Sequence, residues 1–147
     1  MNRAAIFLGF DFGGARIGVA AGQAITASAT PIATIPAERG TPAWTQVDRL
    51  IAEWQPTALV VGIPVHLDGT EQAGTLAARR FADALAARYG LPVHTADERL
   101  TSRSAAAEIR TARSAGHRRR TRKGDVDRMA ARIILEDWLA TRYGDDD

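Results

Sequence analysis

Short apolar runs alternate along the chain with stretches in which apolar residues recur every three or four positions, and this rhythm lays out its elements. Ile6 to Phe12 is apolar with a glycine at its middle, and Arg16 to Ala20 follows after Gly13-Gly14, which predicts two strands joined by a tight turn. A third strand is expected in Ala29 to Ile35, weakened by Pro31 and Pro36, which donate no backbone hydrogen bond. From Thr41 the period becomes helical. Thr41 can cap, Pro42 suits the first helical position, and Trp44, Val47, Leu50, Ile51 and Trp54 recur as far as Pro56. Ala58 to Val65 is continuously apolar, as expected of a central strand buried on both faces. His66-Leu67-Asp68-Gly69 then reads as a turn, and Thr70 as the cap of a helix with Ala77, Phe81, Ala84, Leu85 and Arg88 along one side and Gly90 at its end.

Val93 to Ala96 makes a short fifth strand, Thr101 to Ser114 an alanine-rich helix, and Ser114 to Gly124 a basic stretch with no apolar anchor. Asp125 is placed to cap a final helix whose apolar face is Val126, Met129, Ala130, Ile133, Ile134 and Trp138. Three early strands followed by alternating helices and strands predict one α/β domain. It has a mixed five-stranded sheet with helices on both faces and spans residues 1–142, ahead of an acidic tail at 143–147.

With 147 residues, 46% of them hydrophobic, the chain can bury a core without a disulfide or a structural metal. It has no cysteine, which excludes thiolate catalysis and sulfur-based zinc sites. No run approaches a membrane span and the N-terminus lacks a signal-peptide pattern, so a cytoplasmic protein with no membrane partner is expected, as a monomer or homodimer. The net charge of +2 hides a division: Arg99 to Arg132 holds eleven Arg/Lys against three acids, a local +8, and leaves the rest at −6.

Three acids stand out. Asp11 ends the first strand among apolar neighbours and before glycines, where it can either make a turn with the following amides or hold a hard cation. Glu98 follows the fifth strand, at the carboxyl edge where open α/β sheets collect ligands; it can equally favour the start of the next helix through the helix dipole. Asp127 shares a helix side with Ala130, Ala131, Ile134 and Trp138, the side turned to the sheet, and an inward carboxylate needs a partner or a metal. Convergence of all three on Mg²⁺ or Mn²⁺ would suit phosphodiester hydrolysis, two ions about 4 Å apart activating water and stabilising the leaving oxygen. The basic segment would supply the phosphate-binding surface beside them.

The motifs Gly9-x-Asp11-x-Gly13-x-x-Arg16-Ile17-Gly18, Val61-Gly62-Ile63-Pro64 with Asp68-Gly69-Thr70, Asp97-Glu98-Arg99-Leu100-Thr101-Ser102, and Lys123-Gly124-x-Val126-Asp127-x-x-Ala130-Ala131 occur in this order. In them the chain resembles the YqgF family of pre-16S rRNA nucleases and Holliday-junction resolvases. The resemblance covers roughly Leu8 to Leu139 and implies an RNase H-like fold. It also implies Asp11, Glu98 and Asp127 as catalytic acids and metal ligands, and a divalent cofactor. The chain departs from the pattern in having His66 where Asn often precedes the Asp-Gly turn, and Asp125 as an extra acid beside Asp127.

Arg16 and Arg99 each neighbour one of these acids, and either order it through an ion pair or contact the scissile phosphate. Arg118, Arg119, Arg120, Arg122 and Lys123 are expected to bind nucleic acid, whether structured or precursor RNA or branched DNA. His94 reads as strand filler, His117 as part of the basic loop and His66 as a minor candidate for substrate contact. Two other classes compete. A ribosome-assembly or DNA-repair factor could bind nucleic acid without cutting it, and Asp11-Phe-Gly-Gly-Ala-Arg also resembles the phosphate loop of sugar-kinase and actin-like ATPases. The chain has no second glycine-rich loop of the kind those ATPases use for adenosine.

Overall fold

The computed structural model describes residues 5–13, 15–64, 74–97, 111 and 123–144, and only the backbone of 123–125 and 144. β1 (Ile6–Phe12) and β2 (Arg16–Gln23) form the expected antiparallel hairpin, with the Gly13 N–H donating to the Arg16 carbonyl at 2.8 Å across its turn. β3 (Ser28–Glu38) pairs with the far side of β2 and is longer than its prolines suggested. The register shifts between Val19 and Ala20, passing over Ile32, so Pro31 lies beside a bulge, where a missing N–H is tolerated.

The sheet has six strands rather than five. Thr41 and Pro42, expected to begin a helix, instead form β4 (Thr41–Pro42) on the edge of β3, paired as Glu38↔Thr41 and Ala37↔Pro42. Arg39 and Gly40 both take positive φ (53° and 80°), which folds the chain back in a two-residue turn and draws Thr41 into a ladder. Helix α1 (Trp44–Trp54) starts just after it, with Ala43 at the N-cap and no side-chain cap.

β5 (Ala58–Ile63) is parallel to β1, and helix α2 (Thr75–Tyr89) leads to β6 (Val93–Asp97), parallel to β5. α2 is preceded by Gly74 at φ 95° and stopped by Gly90 at φ 65°, so Thr70, outside the described residues, is not its cap. Its buried side is Thr75, Ala78, Phe81, Ala82 and Leu85; Arg88, expected on that side, is exposed because its guanidinium pairs with Asp48 on α1.

Helix α3 (Lys123–Leu139) runs into a π-helical turn, Ala140–Gly144. It begins two residues before Asp125, which therefore lies within the first turn instead of capping it. Gly124 is accommodated there because first-turn amides have no intrahelical partner to lose. Tyr143, assigned in the sequence reading to the acidic tail, packs on Phe7 with ring centroids 6.1 Å apart. The helix expected over 101–114 and the basic stretch to Arg122 lie outside the described residues, apart from Thr111, which is helical.

The sheet order β4-β3-β2-β1-β5-β6 is covered on both faces. On one face Leu8, Phe10, Phe12, Ile17, Val19, Ile35, Leu59 and Val61 meet Val47 of α1 and Phe81 and Leu85 of α2. On the other, Phe7, Ala20, Ala58 and Val60 meet Ala131, Leu135 and Leu139 of α3. Among the described residues no helix is long and apolar enough to cross a membrane.

Candidate functional site

The face under α3 carries glycines where the helix backbone comes closest to β1 and β2, and this sets the geometry of the site. One cross-strand row runs Thr34, Gly18, Asp11, Gly62, Ala96 from β3 to β6. Asp11 is its only acid and is 6% exposed. The glycine on either side of it places no Cβ there.

α3 is seated on β1 and β2 through their glycines. A Cβ at Gly18 would lie 1.9 Å from the Asp127 carbonyl oxygen, and one at Gly9 would lie 2.8 Å from the Leu135 Cβ. One at Gly22 would stand 2.9 Å from both Leu135 and Leu139. The helix backbone thus rests on the strand at Gly18, the direct partner of Asp11, and the first turn of α3 carries Asp127 to that spot.

The Asp127 carboxylate lies at the mouth of the β1–β2 turn. Its Oδ2 accepts a hydrogen bond from the Arg16 Nε at 2.9 Å, and its Oδ1 is 3.8 Å from where a Gly13 Cβ would stand. The Arg16 side chain is 39% exposed and that of Asp127 18%. The ion pair shown for Arg16 is with Asp127, 111 positions away, whereas the sequence pointed to the acid that Arg16 neighbours, Asp11. Arg128, counted in the charge balance but given no role there, donates from its Nη1 to the Thr34 Oγ1 at 2.8 Å. Its only trace in the sequence was its place next to Asp127. Glu136 pins the helix to β3 by accepting from the Ala29 N–H at 3.0 Å and from Arg132 at 2.5 Å.

The structure pairs Arg16 with Asp127 and rests the Asp127 main chain on Gly18, the strand partner of Asp11. Glu98, Arg99, Arg118, Arg119, Arg120, Arg122, His66 and His117 lie outside the described residues, as does the side chain of Lys123. β6 ends at Asp97, on the same carboxyl edge of the sheet as Asp11, and Glu98 follows it in the chain. His94 lies in β6 with its ring 5.0 Å from Trp138. Burial, and then the Arg142 charge, lower its pKa and favour the neutral ring, which fits a packing role. Among the described residues no three acids or histidines group to hold a metal. Asp127 has the Arg16 guanidinium on its carboxylate, and Asp11 is buried on the neighbouring strand.

An antiparallel hairpin continued by parallel strands, with an acid on the first strand and a C-terminal helix laid over it, is an RNase H-like domain. Thermus thermophilus RuvC in complex with a Holliday-junction substrate has this fold: the TM-score is 0.56 at 16% identity, covering 95% of this chain and 96% of that one. T. thermophilus RuvC in a second structure gives 0.52 at 15% identity.

The chain belongs to the RuvX family, also called YqgF, whose model, described as "Holliday junction resolvase", matches residues 5–141. It is 48% identical over 138 residues to a protein of Shewanella oneidensis, covering 94% of this chain and 96% of that protein. It is also 48% identical over 134 residues to one of Pseudomonas putida, covering 91% and 94%. Both relatives are named "Putative pre-16S rRNA nuclease".

Proposed function

We propose that this chain is a nuclease that hydrolyses phosphodiester bonds in the 5′-end processing of precursor 16S rRNA, acting in the cytoplasm as one domain over residues 1–142. One observation supports the reading: the α3 backbone rests on Gly18, so the Asp127 main chain lies on the strand partner of the buried Asp11. Carboxylates brought to one point repel each other, and such an arrangement is tolerable when cations neutralise them. Arg16 supplies one such charge.

The donor set fits a hard divalent cation, since both groups offer carboxylate oxygens. Asp11, Asp127 and Glu98 would hold Mg²⁺ or Mn²⁺, which in a two-ion arrangement supplies an activated water and stabilises the leaving oxygen. Arg16 orients the Asp127 carboxylate. Arg16, Arg99, Arg118, Arg119, Arg120, Arg122 and Lys123 bind the phosphodiester backbone, supported by the local +8 charge.

The test is metal-dependent cleavage of a precursor-rRNA 5′ segment, single-stranded RNA and a four-way DNA junction, by the wild type and by Asp11→Asn. The expected result is cleavage of the rRNA segment that vanishes without divalent metal and in the variant. Equal activity in the variant would overturn the proposal. The family model's description favours a second reading, resolution of a four-way junction, and preferred cutting of that substrate would establish it. Salt-sensitive binding without turnover on any substrate would leave a non-catalytic assembly factor instead.

A further inference from the structure

β3 runs in the same direction as β1, since each is antiparallel to β2, so the end of β3 lies at the sheet edge that carries Asp11 and the β1–β2 turn. Pro36 is the register partner of Arg16, and the Ala37 N–H donates to the Ala15 carbonyl at 2.9 Å, which ties this end of β3 to the turn whose Arg16 holds Asp127. Three residues past Pro36, Arg39 forms the tip of the β3–β4 hairpin together with Gly40, at φ 53°. Two-residue turns with both φ values positive favour Asn-Gly or Gly-Gly, because a Cβ is crowded there. An arginine in the first of those places is a local cost with no local return: Arg39 is exposed, and its side chain has no hydrogen bond or ion pair with any described residue. The same holds for the side chain of Glu38, which lines a shallow cleft with Arg39, Pro36, Thr41, Pro42 and Ala43.

We propose that Arg39 binds a phosphate of the nucleic-acid substrate, a few nucleotides from the bond that is cut. The inference rests on the nuclease reading above and adds to it a residue and a direction, outward over the end of β3. Strained backbone collects at binding sites, where the surrounding structure holds it, and here the strand pairs Glu38↔Thr41 and Ala37↔Pro42 hold the turn. From Pro36 to Arg39 the chain spans at most about 10 Å, the length of about three nucleotide steps along a duplex strand. Arg39 is thus one short run of substrate backbone away from Arg16. Its planar fork can take two phosphate oxygens at once. Glu38 carries the opposite charge beside it, so the gain is that of one guanidinium on one phosphate and not that of a basic patch.

The experiment is fluorescence anisotropy with a labelled single-stranded RNA and a labelled four-way DNA junction, in EDTA, across a salt series, with a thermal melt of each variant. Arg39→Asn relieves the turn and removes the charge, so it is expected to melt about 2 °C above the wild type while binding about tenfold more weakly at about 0.1 M salt. Its slope of log affinity against log salt falls by about 1, the signature of one lost phosphate contact. A residue with only a structural role does not give a gain in stability together with a loss of binding. Arg39→Lys keeps the slope and recovers part of the affinity. Arg142→Gln removes the same charge from the turn after α3, about 20 Å along the helix from Asp127, and keeps the wild-type slope.

An unchanged slope in Arg39→Asn, or an equal fall in Arg142→Gln, would overturn the proposal while leaving the nuclease reading in place. Failure of the wild type to bind either probe would count against both. A fall confined to the RNA or to the junction supports the contact and identifies the nucleic acid it serves. If Arg39→Asn melts below the wild type, the slope in Arg39→Lys decides: retained, it supports the phosphate contact; lost, it overturns it.

Discussion

The two faces of the sheet differ in where they place glycine. Against α1 and α2 the strands present large residues, and Phe10, Phe12, Phe81 and Trp44 pack ring on ring at 5.2 to 5.9 Å. Against α3 the strands present Phe7 and Val60 but also Gly9, Gly18 and Gly22, and at these glycines the helix comes down onto the strands. The first face is where the domain gains stability, at roughly 1.5–3 kcal/mol for each large apolar side chain buried. At its glycines the second forgoes part of that gain, and there main chain meets main chain, the Asp127 carbonyl resting on Gly18, the strand partner of Asp11. Stability and chemistry are thereby separated across one sheet, and substitutions on the two faces have different signatures.

The largest expected effect on stability is on the aromatic face. Phe10→Ala costs about 3–5 kcal/mol through the cavity it leaves, measured by urea unfolding, while cleavage per folded molecule stays at the wild-type level. A drop in specific activity equal to that of a site variant would show the faces to be coupled. Gly18→Ala comes next, at about 1–3 kcal/mol from overpacking. Its Cβ meets the Asp127 main chain, so the acid is displaced and cleavage falls about a hundredfold, the penalty typical of an ångström-scale misplacement. A Gly18→Ala protein that is destabilised yet fully active would break the link between the glycine seat and the site.

Arg16→Gln has a smaller effect on stability, within about 1 kcal/mol, because the Arg16 side of the ion pair is open to solvent. It lowers activity by more than that stability change explains, which steady-state kinetics on the folded protein reads directly. The smallest effect lies at the solvent edge of the aromatic face. There the Arg88 guanidinium donates to both Asp48 oxygens at 2.8 Å and the Tyr89 hydroxyl donates to one of them at 2.5 Å. Hydrogen bonds from Arg88, then from Tyr89, lower the Asp48 pKa from 3.8 to about 2, while burial and the Asp48 contact raise that of Tyr89 to about 12. A carboxyl depressed on folding stabilises fully above its unfolded pKa and loses that contribution as pH falls through the folded one. Thermal melts from pH 4 down to pH 2 are therefore expected to fall slightly less in Asp48→Asn than in the wild type. Parallel curves would show the triad to be inert.

Most of the sheet was legible because its signals are local. Ile6 to Phe12 and Ala58 to Ile63 are largely apolar runs at strand length, and the Gly90 stop needs only its own left-handed turn. β4 was missed because Thr41-Pro42 is a good helix start considered alone. What decides against it is the hairpin turn at Arg39-Gly40, which makes Thr41 a strand partner of Glu38. Of the side expected for α2, Phe81 and Leu85 are buried, Ala77 and Ala84 are partly buried, and Arg88 is exposed, drawn to Asp48 on a different helix.

At the site, the inward side of Asp127 followed from helical spacing, and the site value of Asp11 from its place at the end of an apolar strand. The seat that unites them could not be read locally. Gly18 is ordinary in a strand until the register sets it opposite Asp11 and the helix backbone lands on it. The pairing of Arg16 with Asp127, and of Arg128 with Thr34, likewise joins residues far apart in the chain.

The most direct test of a shared acidic site is calorimetric titration of the intact protein with Mn²⁺, alongside Asp11→Asn and Asp127→Asn. If the two carboxylates serve one centre, each variant alone weakens Mn²⁺ binding by at least about the ten- to hundredfold typical of removing a ligand's supporting partner, and the double variant loses little more than either single one. Full-strength Mn²⁺ binding in Asp11→Asn, or losses in the two single variants that simply add in the double, would contradict a common site.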